Sequence, residues 1–207
     1  MSHWFEERVF NPLMDWALRT PAVRELRTRL LRECPDDPLE IGPGTGLNVP
    51  HYPATVHRLR LLAREATLDQ RLLDRAAERG LELVHVRGDA AGIPLPDASV
   101  DALVCTFVLC SVERPSAALR EFHRVLRPDG RLFVLEHVRS PRRIERLVQR
   151  ALTPLQRRIA CGCELDRDLL DALRRSGFAT DELACERSDA LPFPASELLS
   201  GVARRAQ

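Results

Sequence analysis

The segment Leu39-Glu40-Ile41-Gly42-Pro43-Gly44-Thr45-Gly46 constrains this chain more than any other, because a short apolar run passes straight into three alternating glycines. Glycines so placed let the backbone turn sharply and approach a ligand in conformations closed to residues with a Cβ. Glu65 follows nineteen residues after the last of them. An acid at about that distance is where a ribose diol finds its acceptor, so the segment reads as a nucleoside-cofactor site at a strand end. The spacing is G-x-G-x-G, not the G-x-G-x-x-G of a dinucleotide loop, and Glu40 precedes it. A carboxylate there repels a pyrophosphate and favours an ammonium.

The pattern resembles motif I of the class I S-adenosylmethionine-dependent methyltransferases, whose cofactor carries an amino-acid ammonium, a sulfonium and no phosphate. The run Gly88-Asp89-Ala90-Ala91-Gly92-Ile93-Pro94-Leu95-Pro96-Asp97-Ala98-Ser99-Val100-Asp101 is similar to the third and fourth motifs of the same class. The likeness continues through Cys105 to Val112, Val125 to Leu132, Leu135-Glu136-His137-Val138 and Gly162-Cys163, covering about residues 38–180. These later motifs resemble one branch, which holds small bacterial methyltransferases related to ubiquinone and phospholipid methyltransferases together with animal alkyl-thiol methyltransferases. The resemblance implies an α/β fold, a doubly wound, mostly parallel seven-stranded sheet of the Rossmann-like methyltransferase type. It implies S-adenosylmethionine as cofactor and S-adenosylhomocysteine as product. Glu40, Gly42, Gly44 and Gly46 would hold the methionine part, Glu65 the ribose, and Asp89 with the Ala90 N–H the adenine. Thr106 would open the stretch to Cys110 that lies beside the sulfonium. Three departures stand out. Glu65 is flanked by Arg64 and Ala66 where the family usually follows the acid with Pro. The usual Pro-Gly-Gly turn is Pro128-Asp129-Gly130. The stretch Glu197 to Gly201 lacks the histidine of a Pro-His pair found in relatives.

The residues support the fold class independently. Apolar runs near 39–41, 59–62, 83–86, 100–106 and 131–138 alternate with helical stretches, the signature of a parallel sheet covered on both faces. Two last strands are expected near 180–185 and 199–204. Residues 1–35 read as a helical lead-in, with Phe10, Leu13, Met14 and Ala17 on one face and Thr20-Pro21 as the cap and first turn of a second helix. That lead-in either packs on the core or closes as a lid through Trp4, Phe5 and Phe10. Thr67-Leu68-Asp69-Gln70 predicts a capping box for a helix closing at Gly80. Arg114-Pro115 predicts a helix to Leu126, and Asp166 caps one ending at Ser176-Gly177. With no repeat or linker, residues 1–207 are expected to form a single methyltransferase domain, 36–207 being its Rossmann-like core.

Composition narrows the partners. A net charge of +1 gives no general attraction to nucleic acid, and all 31 basic residues are Arg. Neither an N-P-P-Y tetrapeptide nor a basic stripe with aromatics is present, so no nucleic acid partner is expected. The arginines between Arg142-Arg143 and Arg157-Arg158 read as a solvated helix face, with contact to acidic lipid as the alternative. No apolar run approaches the roughly 18 residues of a membrane span, and Glu6, Glu7 and Asp15 are unlike a secretion signal, so a cytoplasmic location is expected. The six cysteines are scattered and expected to be reduced.

Methyl transfer from a sulfonium is an in-line displacement by an already activated donor, so alignment and exclusion of water come first and a base is optional. A thiol, with a pKa of about 8.5, needs only a modest push, whereas an amine or phenol needs a proton acceptor. His137 is the leading catalytic candidate and Glu136 the next. Being adjacent in a strand, only one of them can face the ligand. Cys110, Cys161 and Cys163 have the chemistry to bind a soft metal or trivalent arsenic. Cys161-Gly162-Cys163 nevertheless has no second pair at zinc spacing, so no metal is expected. His51, His57, His85 and His123 read as packing residues. The expected reaction is methylation of a small lipophilic acceptor, sulfur first. The alternatives are N- or C-methylation of a lipid head group or quinone-like ring, and a methyltransferase-like protein that binds the cofactor without turnover.

Overall fold

The computed structural model describes Asp15, residues 18–189 and residues 191–206. The lid candidates Trp4, Phe5 and Phe10, and the stripe residues Leu13, Met14 and Ala17, lie outside the described residues. The first described helix, α1 (Pro21–Leu31), begins as the sequence predicts: the Thr20 hydroxyl accepts from the Val23 N–H, and proline occupies the first turn.

The apolar runs become β1 (Leu39–Ile41), β2 (Arg58–Ala63), β3 (Glu82–Arg87), β4 (Val100–Thr106) and β5 (Leu126–His137). Between them lie α2 (Gln70–Arg79) and α3 (Pro115–Val125), and after them α4 (Arg143–Ile159), α5 (Leu169–Arg175), β6 (Phe178–Ala179), β7 (Leu183–Arg187) and β8 (Glu197–Arg205). The order is β3-β2-β1-β4-β5-β8-β6, with β7 also on β8. The first five strands are parallel, and β8 runs antiparallel to β5. The strand expected near 180–185 is β7 and the one expected near 199–204 is β8, while a further short strand, β6, precedes them and pairs with the far end of β8. Eight strands thus stand where seven were expected.

Alternating side chains make two cores. Ile41, Leu103, Leu132 and Val134 pack with Leu119 and Phe122 of α3 and Leu173 of α5. Leu61, Val104, Phe133 and Leu135 pack on the other face with Leu26 and Leu30 of α1 and Leu72 of α2. Burial on both faces is what a parallel sheet requires.

Two caps shift by two residues from their predicted places. Asp69, not Thr67, caps α2, accepting from the Arg71 N–H at 2.9 Å, and Gly80 closes the helix in the left-handed conformation as expected. Asp168, not Asp166, caps α5, while Asp166 accepts from the Thr153 hydroxyl at 3.0 Å. α3 starts at Pro115 but stops at Val125, because Leu126 is already extended and pairs with Val100. The next paired residues are Ala102 and Arg131, so the Pro128-Asp129-Gly130 turn bulges out of the β4–β5 ladder.

α4 exposes Arg143, Arg150, Arg157 and Arg158 as expected, and an apolar stripe beside them that was not expected. Ile144 is 79% exposed and Leu147 66%, with Val148, Leu152, Leu155 and Ile159 continuing the same outward stripe. The inward anchor is polar: buried Gln149 accepts from the Ser140 N–H at 2.7 Å and donates to the Val138 and Pro194 carbonyls. The helix is therefore amphipathic with its apolar side turned to the surface. Among the described residues no helix is long and apolar enough to cross a membrane.

Candidate active site

Strand order reverses between β1 and β4, and a ligand crevice is expected outside their carboxyl ends. The glycine turn leaves β1 at that point. Gly42, Gly44 and Gly46 all have positive φ, at 58°, 53° and 78°. A Cβ on Gly44 would meet nothing within 4 Å, so this position opens onto the crevice. A Cβ on Gly46 would lie 2.9 Å from the Leu72 Cα, so this glycine admits α2 to the sheet instead. Gly46 lines neither of the cavities described next.

The crevice has two chambers that share Gly42, Pro43, Gly44, Val108 and Ser111. The larger, about 640 Å³, is lined by Glu65 at the end of β2 and by Asp89 and Ala90 after β3. One Asp89 oxygen accepts from the Ala91 N–H at 2.8 Å, which fixes the turn and leaves the carboxylate at the cavity wall. The smaller, about 210 Å³, is lined by Glu40, Thr106, Phe107, Cys110, His137 and Cys163, and by Arg27 of α1.

A buried polar network forms one wall of the smaller chamber. Glu40 accepts from the Asn48 amide and the Tyr52 hydroxyl, each at 2.8 Å. Asn48 and Arg27 both donate to the Thr106 hydroxyl, at 3.0 and 3.1 Å, and Arg27 also donates to the Asn48 carbonyl oxygen. Burial pushes the Glu40 carboxyl up, against the pull of Tyr52, Asn48 and Arg27. Burial likewise lowers the Arg27 guanidinium to about 10, which leaves it charged at neutral pH. Its Nε is buried with no hydrogen-bond partner among the described residues, and the guanidinium lies 5.3 Å from the Phe107 ring. Arg27, Asn48 and Tyr52 are site residues that sequence reasoning missed. The available signal was a charged residue within the apolar stripe of Val23, Leu26, Leu30 and Leu31.

The catalytic pair separates as strand alternation requires. His137 lines the chamber, its ring 4.9 Å from that of Phe107. Glu136 is a correction: it is fully buried, lines neither chamber, and accepts from the N–H groups of Val108 and Leu109 at 2.8 Å and of Cys110 at 3.1 Å. Those three bonds fix the loop after β4 and leave Glu136 a structural carboxylate. The cysteine grouping changes too. Cys110, His137 and Cys163 bring one ligand atom each to within 4.8 Å of one another. His137 joins this group and Cys161 does not.

The family model described as a methyltransferase domain matches residues 39–134. Thiol S-methyltransferase TMT1B of Rattus norvegicus is 35% identical over 150 residues, covering 70% of this chain and 61% of that protein. The ubiquinone/menaquinone biosynthesis C-methyltransferase UbiE of Roseobacter denitrificans is 44% identical over 66 residues, covering 32% and 26%. The solved structure of Burkholderia thailandensis 1,6-didemethyltoxoflavin-N1-methyltransferase with S-adenosylhomocysteine has the same fold, with a TM-score of 0.67 and 16% identity over 96% of this chain and 84% of that one. The chain spans about three-fifths of the length of the thiol methyltransferase it matches. A G-x-G-x-G turn at the β1/β4 switch point, acids at the ends of the next two strands and these likenesses agree: the chain belongs to the S-adenosylmethionine-dependent methyltransferases.

Proposed function

We propose that the chain transfers a methyl group from S-adenosylmethionine to the sulfur of a small lipophilic thiol. The larger chamber takes the nucleoside, with Glu65 on the ribose and Asp89 and Ala90 on the adenine. Gly42 and Gly44 let the backbone approach the methionine part. Glu40 faces its ammonium and the Arg27 guanidinium its carboxylate, so the buried pair of opposite charges complements a zwitterion. Thr106 stands beside the sulfonium.

One observation carries the acceptor assignment. The smaller chamber joins the cofactor turn to a wall of Leu18, Phe107, Val108, Ala160, Cys110 and Cys163, and its acids Asp15 and Glu40 are already bonded to Thr45 and Arg75 and to Asn48 and Tyr52. A soft apolar nucleophile suits that wall, and His137 is the remaining group there able to take a proton. The thiol methyltransferase relative supports the choice. The test is mass-spectrometric detection of methylated products after incubation with the cofactor and a panel of lipophilic thiols, amines and phenols. A methyl thioether that disappears with Gly44→Arg is expected. Products confined to nitrogen or carbon would overturn the thiol assignment and favour the head-group or quinone-ring alternative, which the shorter UbiE match supports. Cofactor binding with no methylated product would favour a non-catalytic binder.

The outward stripe of α4 fits the same reading as a peripheral contact with anionic lipid, where a lipophilic acceptor would be collected. Arg143, Arg146, Arg150, Arg157 and Arg158 flank its leucines and isoleucines. Flotation with anionic but not neutral vesicles, lost in Leu147→Glu, is the expected result. Equal behaviour on both vesicles would remove the lipid part.

A further inference from the structure

Three elements converge on one corner of the smaller chamber. Cys110 comes from the loop after β4, His137 from the end of β5, and Cys163 from the turn between α4 and α5. Their side chains are drawn together by backbone that is itself pinned. The Cys110 N–H is held by Glu136, and the Cys110 carbonyl accepts from the Glu164 N–H at 2.8 Å, which ties one cysteine loop to the other. Gly162 turns between them at φ 90°, where a Cβ would lie 3.0 Å from the Ser111 carbonyl oxygen. The Cys163 Sγ is 3.8 Å from the His137 Nδ1, and all three ligand atoms lie within 4.8 Å. Bonds of about 2.3 Å to sulfur and 2.0 Å to nitrogen put the ligand atoms of a tetrahedral zinc ion roughly 3.5–3.8 Å apart, so closure needs shifts of only about 1 Å. Cys110 is 1% exposed and Cys163 5%, while the group as a whole borders the cavity.

We propose that Cys110, His137 and Cys163 bind one soft divalent cation, zinc in the first instance, and that its open fourth position takes the sulfur of the methyl acceptor. Two thiolates and an imidazole are a donor set that selects such an ion, and three protein ligands with one free position is the arrangement of a reactive site, not a purely structural one. The second half of the proposal rests on the thiol reading above. On entering the coordination sphere the acceptor loses its proton to solvent. Its sulfur lone pair forms the new S–CH3 bond as the methyl–sulfonium bond breaks, releasing neutral S-adenosylhomocysteine. The methyl thioether carries no charge and is a weaker ligand than the thiolate, so it leaves. In this arrangement His137 binds the ion and takes no proton.

The test uses the full chain, reduced and handled without oxygen. Zinc is added and removed to equilibrium against a chelator of known affinity, metal per chain is measured by elemental mass spectrometry, and cobalt(II) is substituted to read thiolate-to-metal absorption. One equivalent of zinc is expected. Cys110→Ser and Cys163→Ser should each weaken zinc at least tenfold and reduce the cobalt–thiolate band, whereas Cys185→Ser, on the exposed strand β7, should change neither. S-adenosylhomocysteine binding by each variant reports that it is folded. Should the variants fail to fold, X-ray absorption of the zinc-loaded wild type decides, with two sulfurs and one nitrogen expected. Less than stoichiometric zinc in the wild type, or full zinc binding in the folded double cysteine variant, overturns the site. Zinc at one equivalent with no thiol methylated keeps the site and overturns the function. Thiol methylation at an unchanged rate in zinc-free protein keeps the function and overturns the ion's part in it.

Discussion

The larger chamber is walled by strand-end residues that lie within a few positions of the glycine turn or of the next strand ends. The smaller chamber is assembled from side chains far apart in sequence: Arg27 reaches Asn48 across 21 residues and Thr106 across 79. One half depends on backbone shape and the other on tertiary placement of charge. Substitutions should therefore fail differently in the two halves.

The sharpest break is at the shared wall. The Cβ of Gly44→Arg would meet no protein atom within 4 Å, so S-adenosylmethionine affinity by calorimetry should fall more than 100-fold, at a cost in stability of only about 1 kcal/mol for the positive φ. Gly46→Ala tests the opposite case. Its Cβ meets the α2 backbone at a positive φ, and loss of about 3 kcal/mol of stability is expected in denaturant titration. Affinity of the remaining folded protein should be nearly unchanged. If Gly46→Ala instead leaves stability intact and removes binding, the division of labour among the glycines is wrong.

Arg27→Met separates the two chambers directly. S-adenosylhomocysteine should bind about tenfold more weakly, roughly the 1.4 kcal/mol of one charge-assisted contact, while methylthioadenosine, which lacks the amino acid, should be unaffected. Asp89→Ala should weaken both ligands equally. The smallest effect concerns His51, whose Nδ1 is 2.7 Å from the Thr28 hydroxyl on α1. Burial, and then repulsion from Arg27 and Arg24, lowers its pKa to about 4. With the folded value below the ordinary 6.5, its contribution to stability is complete above pH 6.5 and is lost as pH falls towards 4. His51→Gln should flatten that limb by about 1 kcal/mol, discounted for partial exposure. In Arg27→Met an NMR titration should find His51 moved upward.

What could be read in advance follows the same division. The β1 turn, the Thr20 cap, Pro115 and the strand-end acids are local signals, and each appears where it was expected or within two residues of it. The caps moved by two residues to Asp69 and Asp168, acids that offer the same hydrogen bond, and the Asp166 side chain is engaged by the Thr153 hydroxyl instead. The role of Glu136 was hidden, since strand alternation says that one of two neighbours faces the ligand but not which one, nor that three amides wait behind the other. Cys163 and His137 meet only because the turn after α4 folds back over β5. Residue spacing carries no trace of that return. α4 was legible in half: its arginines are exposed as their number suggests, whereas the exposed apolar stripe beside them follows from the inward Gln149, which shows which side is docked.

The wall shared by the two chambers also ties the binding of the two ligands together. Gly42 to Gly44, Val108 and Ser111 border both spaces, and in the proposed reading the amino-acid end of the cofactor and the acceptor share the smaller one. Occupation of one seat therefore reshapes the other. Calorimetric affinity for S-adenosylhomocysteine should change when a lipophilic thiol is present, and the affinity for the thiol should change by the same factor when S-adenosylhomocysteine is present.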